Sequence, residues 1–166
     1  MSKYTIIIRG PLGCGKSTIA RNLSKILNAE YFSIDEILDK YGLANEQEEG
    51  YTSQNSFLKA NKIIIKKIKV LLAKDILAVI DGNIYWKSQI EDLVHKIPCQ
   101  KYIFTLKVPL EVCINRDKNR NKTYGIEAVK AVYKKSTEFD YGINIDATKS
   151  IGEIIKEIIS NLPNEH

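Results

Sequence analysis

The chain has 166 residues, 44% of them hydrophobic and 27% charged, with a net charge of +5. Such a length and balance suit one soluble globular domain spanning residues 1–166, with a core large enough to need neither disulfides nor a structural metal. The three cysteines, Cys14, Cys99 and Cys113, are odd in number and contain no C-x-x-C pair, which argues against a disulfide framework or a zinc site and for reduced thiols. No signal-peptide pattern opens the sequence and no apolar run nears the ~18 residues of a membrane span, so a cytoplasmic protein is expected. The basic balance favours anionic ligands without specifying nucleic acid.

In chain order, Tyr4–Arg9 is a continuous β-branched run ending at a glycine and reads as a fully buried strand. A glycine-rich turn over 10–15 follows, then a helix over 16–27 with Ile19, Leu23, Ile26 and Leu27 on one face. Residues 31–34 read as a second strand, 35–41 as a short helix, and the polar, acidic stretch 42–54 as a mobile connection in which Tyr51 is exposed. A long helix is expected over 56–73, its stripe of Phe57, Ala60, Ile64, Ile68 and Leu71 opposed by Lys59, Lys62, Lys66 and Lys69, a face read as solvated rather than bound to an anionic polymer.

Residues 76–80 form a third buried strand closed by Asp81-Gly82-Asn83. A helix over Lys87–Lys96, a fourth strand over 102–108 and a helix from Pro109 to Arg116 follow. Residues 116–125 are charged and aperiodic and read as a short lid, 126–135 as a helix, and 143–145 as a fifth strand. The last helix opens on a capping box, Ser150 with Glu153, and carries Ile151, Ile154, Ile155, Ile158, Ile159 and Leu162 along one face. Alternating strands and helices specify an α/β fold in three layers, a five-stranded parallel sheet with helices on both faces. In such sheets ligands bind beyond the C-terminal strand ends, where Gly10, Asp35, Asp81 and the segment after Pro109 converge.

Residues 10–18, Gly-Pro-Leu-Gly-Cys-Gly-Lys-Ser-Thr, satisfy G-x-x-x-x-G-K-[ST] between a buried strand and an amphipathic helix, the setting of a phosphate-binding P-loop. Gly10, Gly13 and Gly15 let successive amides turn inward, with Cys14 and Thr18 in the same cradle. The helix directs its positive end at the anion, Lys16 reaches the β- and γ-phosphates, and Ser17 offers a hard oxygen to Mg²⁺. ATP and Mg²⁺ are therefore the expected ligands. No N-K-x-D segment selects guanine, and Asp81 is followed by Gly82 rather than by the second acidic residue a motor ATPase uses to activate water. A kinase needs a base for an acceptor hydroxyl and cations for the phosphoryl in flight. Asp35 is the candidate base or substrate contact, with helix capping as the alternative. Asp81 is a candidate for the metal or a substrate hydroxyl, with an Asp-Gly turn as the alternative. Arg116 and Arg120, four residues apart, are candidate clamps on the triphosphate, with a solvated turn as the alternative. Cys14 reads as a tolerated small residue.

Together the loop, Asp35 and the segment Val-Pro-Leu-Glu-Val-Cys-Ile-Asn-Arg-Asp-Lys-Asn-Arg at 108–120 resemble the small P-loop kinases, which include polynucleotide 5′-hydroxyl, adenylylsulfate, gluconate and shikimate kinases and chloramphenicol phosphotransferase. Pro109–Cys113 and Arg116-Asp117 are similar to adenylylsulfate kinases, but Ser33-Ile34-Asp35-Glu36 stands where those carry D-G-D. Asp81-Gly82-Asn83 is not the triple-glycine turn of shikimate kinases. The Arg116-x-x-x-Arg120 pair resembles polynucleotide kinases. That resemblance implies Asp35 as base, Arg120 on the phosphoryl in transit, Arg116 on nucleotide, and residues 145–148 beside the adenine. The acceptor so implied is a polynucleotide 5′ end or a small polyol or nucleoside. Two other readings stand beside it: a nucleotide-dependent binding module, with the acidic stretch 46–49 and Tyr51 meeting a partner, and a nucleoside monophosphate kinase. Residues 31–54 hold no arginine, which weighs against an acceptor already bearing phosphate.

Overall fold

The computed structural model describes residues 3–163. Five parallel strands, β1 (Tyr4–Arg9), β2 (Glu30–Ser33), β5 (Ala78–Gly82), β6 (Gln100–Lys107) and β7 (Ile143–Asp146), form one sheet in the order β2-β5-β1-β6-β7. β1 occupies the centre because all six of its residues are buried and its alternating side chains serve both faces. Ile6 and Ile8 join a core with α1 (Lys16–Ile26), α5 (Leu110–Lys118) and α7 (Ile151–Ser160). Ile7 joins a second core with α2 (Ile34–Lys40), α3 (Gln54–Ala73) and α4 (Lys87–Lys96). Each fully buried isoleucine stabilises these layers by roughly 1.5–3 kcal/mol.

The register aligns the functional ends. Ile8 pairs with Asp81 and Asp81 with Ser33, so the starts of the P-loop, of α2 and of the Asn83 turn emerge side by side. α6 (Ile126–Ser136) packs on α5 across the lid turn. Ser150 and Glu153 form the expected capping box on α7.

Several expectations shift, and three matter here. The third strand in sequence expectation starts two residues later, at Ala78, and Asp81 lies within it rather than after it. Arg116 belongs to the last turn of α5, which continues to Lys118, so the lid turn proper begins at Asn119. The stretch 42–54, expected to be mobile, contains an antiparallel hairpin of β3 (Gln47–Glu48) and β4 (Tyr51–Thr52). Tyr51 is correspondingly half-buried, packed on Tyr85 and Trp86, with its hydroxyl donating to the Ala131 carbonyl at 3.1 Å. Four paired residues are too few to display a period, which hid the hairpin from pattern reading. The lysine face of α3 is exposed, as expected. No helix among the described residues is long and apolar enough to cross a membrane.

Candidate active site

The P-loop owes its shape to two glycines in the left-handed region. Gly13 has φ 81° and packs so tightly on α5 that a Cβ there would lie 2.7 Å from the Cys113 carbonyl oxygen. Gly15, with φ 94°, caps α1 without a side chain, leaving the first amides of that helix open to the cavity. Lys16 is buried and its ammonium donates to the Pro11 carbonyl at 3.3 Å, folding back over the loop.

A cavity of about 530 Å³ opens at this helix end. Gly13, Gly15, Lys16, Ser17, Thr18, Asp35, Arg116 and Arg120 all line it, so most of the sequence-derived candidates meet in one place. Three candidates stand behind the wall instead. Gly10 packs against Leu106 and the Cys14 sulfur. The Cys14 side chain is buried, and burial pushes its thiol up, so this cysteine is inert and contributes through its backbone. Asp81 is buried near the Ser17 hydroxyl and accepts from the Tyr31 hydroxyl at 3.1 Å.

Asp35 sits in the first turn of α2, but the cap of that helix is Ser33, whose hydroxyl accepts from the Glu36 amide at 3.3 Å. The capping role is thus taken and the Asp35 carboxylate is turned to the cavity, where the Asn83 side-chain amide donates to it at 3.3 Å. Burial raises the Asp35 carboxyl above the ordinary carboxylate range, and Asp81 adds to this, while the Lys16 charge opposes it. Burial raises Asp81 in the same direction, offset by the Ser17 hydroxyl and Lys16. Tyr31 is pushed up to about 12 by burial and by Asp81, so it remains a neutral donor.

Ser17 and Asp81 present adjacent hard oxygens. Among the described residues there is no cluster of three acidic, histidine or cysteine side chains able to hold a metal alone. This donor set fits Mg²⁺, which takes one or two protein oxygens and completes its shell with phosphate oxygens and water.

Arg116 is anchored, donating to the Cys14 carbonyl at 2.9 Å and the Ala147 carbonyl at 3.1 Å, which joins the P-loop to the turn after β7. Arg120 is exposed and stacks over Tyr124 at 5.4 Å. Between them stands Asp117, a buried carboxylate noted in the sequence only for its likeness to adenylylsulfate kinases. It accepts from the Tyr124 amide at 3.1 and 3.2 Å and the Gly125 amide at 3.0 Å, pinning both ends of the lid turn.

Six lining residues went unremarked in the sequence as site residues: Leu12, Arg21, Ser33, Glu36, Asp39 and Tyr124. Arg21 follows Ser17 and Thr18 by one helical turn, and that spacing was the available signal. It supplies a cation to the wall where residues 31–54 have no arginine, although it is paired with Glu36 at 2.9 Å and stacked over Tyr31 at 4.7 Å.

A phosphate-binding loop at the centre of a β2-β5-β1-β6-β7 parallel sheet, facing one arginine from the end of α5 and one from the lid turn, defines a P-loop protein of the small-kinase type. Residues 6–139 match the AAA domain family, and the chain belongs to it. A shikimate kinase from Buchnera aphidicola subsp. Schizaphis graminum is 37% identical over 78 residues, 43% of this chain and 44% of that protein. The matched stretch thus spans less than half the length of that relative. Among solved structures, a sugar kinase from Janibacter sp. HTCC2649 superposes with a TM-score of 0.80 at 14% identity, covering 96% of this chain and 94% of that one. A gluconokinase from Sinorhizobium meliloti 1021 superposes with a TM-score of 0.71 at 14% identity, covering 94% and 89%. These similarities place the fold among P-loop kinases.

Proposed function

We propose that the protein transfers the γ-phosphoryl group of ATP to a hydroxyl of a small acceptor. The observation that carries this is Asp35: a carboxylate released from helix capping by Ser33, facing the same cavity as the P-loop, with Asn83 on one oxygen. In the reaction, the P-loop amides and Lys16 hold the β- and γ-phosphates. The acceptor hydroxyl gives its proton to the ionised Asp35 as its oxygen bonds to the γ-phosphorus; the bond to the β–γ bridging oxygen breaks and ADP departs. Arg120, on the exposed lid turn, meets the equatorial charge, and Arg116 fixes the lid to the loop. Ser17 and Asp81 would hold Mg²⁺, which neutralises phosphate charge when bound.

Family resemblance to sugar, gluconate and shikimate kinases supports a hydroxyl acceptor over water. The Asp81-Gly82 step supports it too, because no second carboxylate stands there to activate water. The test is Mg²⁺-dependent ADP release by the purified protein, with and without a panel of hydroxyl acceptors, repeated with Lys16→Ala and Asp35→Asn. Acceptor-stimulated release abolished by both substitutions is expected. ATP binding that depends on Lys16, with no stimulation by any acceptor, would favour a nucleotide-dependent binding module instead.

A further inference from the structure

Asn83 stands behind Asp35. It follows Gly82 at the end of β5 and is absent from the cavity lining, so it touches the carboxylate and not the acceptor. Its side-chain amide nitrogen donates to Oδ2 of Asp35 at 3.3 Å. The reversed amide would set its oxygen against an ionised carboxylate, so charge fixes which end faces Asp35. The side-chain oxygen is buried and has no hydrogen-bond partner. An asparagine kept for its turn would use that oxygen to accept from the backbone two residues on. Here the Tyr85 amide donates to the Asn83 backbone carbonyl at 3.0 Å and the Ile84 amide to the Gly82 carbonyl at 2.9 Å, so the turn closes without the side chain. Both partners are held in place by their backbones. A Cβ at Gly82 would lie 2.8 Å from that of Ile34, so the end of β5 is in close contact with the residue before Asp35. On the other side of Asn83, Arg9 donates to the Ile84 carbonyl at 3.2 and 3.1 Å.

Resting on the phosphotransferase reading above, we propose that Asn83 is a positioning residue of the reaction, holding Oδ2 of Asp35 so that Oδ1 takes the acceptor's proton. The step balances as before: the acceptor oxygen bonds to the γ-phosphorus, its proton passes to Oδ1, the bond to the β–γ bridging oxygen breaks, and ADP leaves. The terminal torsion of an aspartate is broad. A carboxylate free to turn about it spends less time in the geometry that proton transfer requires. A donor on one oxygen removes that freedom and favours the ionised form that a base needs. Burial raises the Asp35 carboxyl; Lys16 and the Asn83 backbone amide oppose the rise, and Asp81 and Asp39 add to it. Tyr85, from the same turn, stays neutral, since burial raises its phenol, hydrogen bonding with Thr52 opposes this, and Asp35 adds to the rise. The fold itself gains little from the Asn83 side chain, because truncating it also removes a buried oxygen without a partner.

The experiment uses the full chain, with Asn83→Ala and the isosteric Asn83→Asp, which carries the test should the first fail to fold. ADP release is followed at saturating Mg²⁺ with glucose, inositol, gluconate and shikimate as acceptors, and the one that the parent turns over best is carried through both variants. The expected result is a kcat lowered about 10- to 100-fold with the KM for ATP unchanged. The rising limb of kcat against pH should move to higher pH in Asn83→Ala, where a donor to the ionised form is gone, and further in Asn83→Asp, where an anion replaces the donor. A readout without acceptor comes from ¹⁵N-labelled protein: the Asn83 side-chain amide protons should exchange with water faster once Asp35→Ala removes their partner. An unchanged kcat, a loss carried by the KM for ATP alone, a limb that stays in place, or an Asn83 amide indifferent to Asp35→Ala would each overturn the proposal. Turnover by the parent with unaffected Asn83 variants would remove this proposal and leave the phosphotransferase reading standing. No turnover with any acceptor would remove that reading, and the role of Asn83 with it.

Discussion

Asp35 is pulled in opposite directions by folding and by chemistry. Burial and Asp81 raise its pKa, so the ionised carboxylate is held at some cost in stability, yet a base must be ionised to accept a proton. For a carboxyl raised above its unfolded value, the destabilisation is complete above the raised value and is relieved as pH falls through it. Two consequences follow at this one position. Asp35→Asn should reduce kcat by about 10²–10⁴-fold while ATP binding persists. The same variant without nucleotide should melt at higher temperature than the parent at pH 7, the gap closing as the buffer is acidified; a lower melting point at neutral pH would contradict the assigned direction. The parent's kcat/KM should rise with pH along a limb lying above the ordinary carboxylate range. At this scale the sequence was most legible where one motif dictates geometry: Lys16, Ser17 and the loop glycines were readable because nothing else demands that spacing. Arg21 and Asp39 were obscured because a charged residue on a helix surface looks the same whether it faces solvent or a cavity. Asp117 was obscured because its partners are backbone amides seven and eight residues on.

At the scale of elements, the lid turn and α2 depend on small polar staples. Asp117 receives both amides that start the chain into α6, and a buried carboxylate with three such bonds is costly to weaken. Asp117→Ala should destabilise the fold by ~3 kcal/mol, measured by urea unfolding, and should open the 119–125 segment to limited proteolysis. Because Arg116 and Arg120 flank this staple, the apparent KM for ATP should rise too; unchanged proteolysis and KM would show that the turn holds itself. Ser33→Ala should cost about 1 kcal/mol by the same urea measurement. Should Asp35 take over as cap in that variant, activity would fall with it, whereas retained activity would mean that the carboxylate keeps its aim. Most elements were legible because their periods are long: α4 runs Lys87–Lys96 as read, and α7 buries Ile154, Ile155 and Ile158 of its stripe while Ile151 and Ile159 stay exposed. Boundaries moved where a strand ran on through polar residues, as β5 does into Asp81-Gly82. The β3–β4 hairpin is held by tertiary contacts, with the Trp86 indole donating to the Thr52 carbonyl at 2.9 Å and Lys135 reaching Glu49, and no local pattern announces such contacts.

For the whole molecule, the sequence implied layers and a parallel sheet but not the order of strands, since order is decided by which crossover covers which face. Arg9 shows how that order is secured at the site. It ends the central strand one residue before the P-loop and is fully buried. Its guanidinium donates to the Ile84 carbonyl at 3.2 and 3.1 Å, the Ser136 carbonyl at 2.8 Å, the Phe139 carbonyl at 3.2 Å and the Thr105 hydroxyl at 3.1 Å. The Phe139 ring lies 4.3 Å from it. Burial lowers the pKa of Arg9 to about 10, with Asp140 opposing the shift, so it remains a cation at neutral pH. One side chain thereby joins the strand that feeds the P-loop to the turn carrying Asn83, to β6, and to the end of the helix that follows the lid. In the sequence it reads only as the last residue of a strand, because a buried arginine satisfied by carbonyls has no charged partner to reveal it. Arg9→Met keeps roughly the volume but leaves the buried Ile84 and Ser136 carbonyls and the part-buried Phe139 carbonyl without this donor, at roughly 1–3 kcal/mol for each buried one. The expected loss is at least about 3 kcal/mol in urea unfolding. Arg9→Lys should recover little of it, since one ammonium cannot span acceptors arranged around a planar fork. Acceptor-dependent kcat in the folded fraction of Arg9→Lys should fall as well, because the Asn83 turn and the lid helix lose their common anchor to the loop. A loss below about 1 kcal/mol in both variants would mean that water replaces the guanidinium and that the segments hold their places by packing alone.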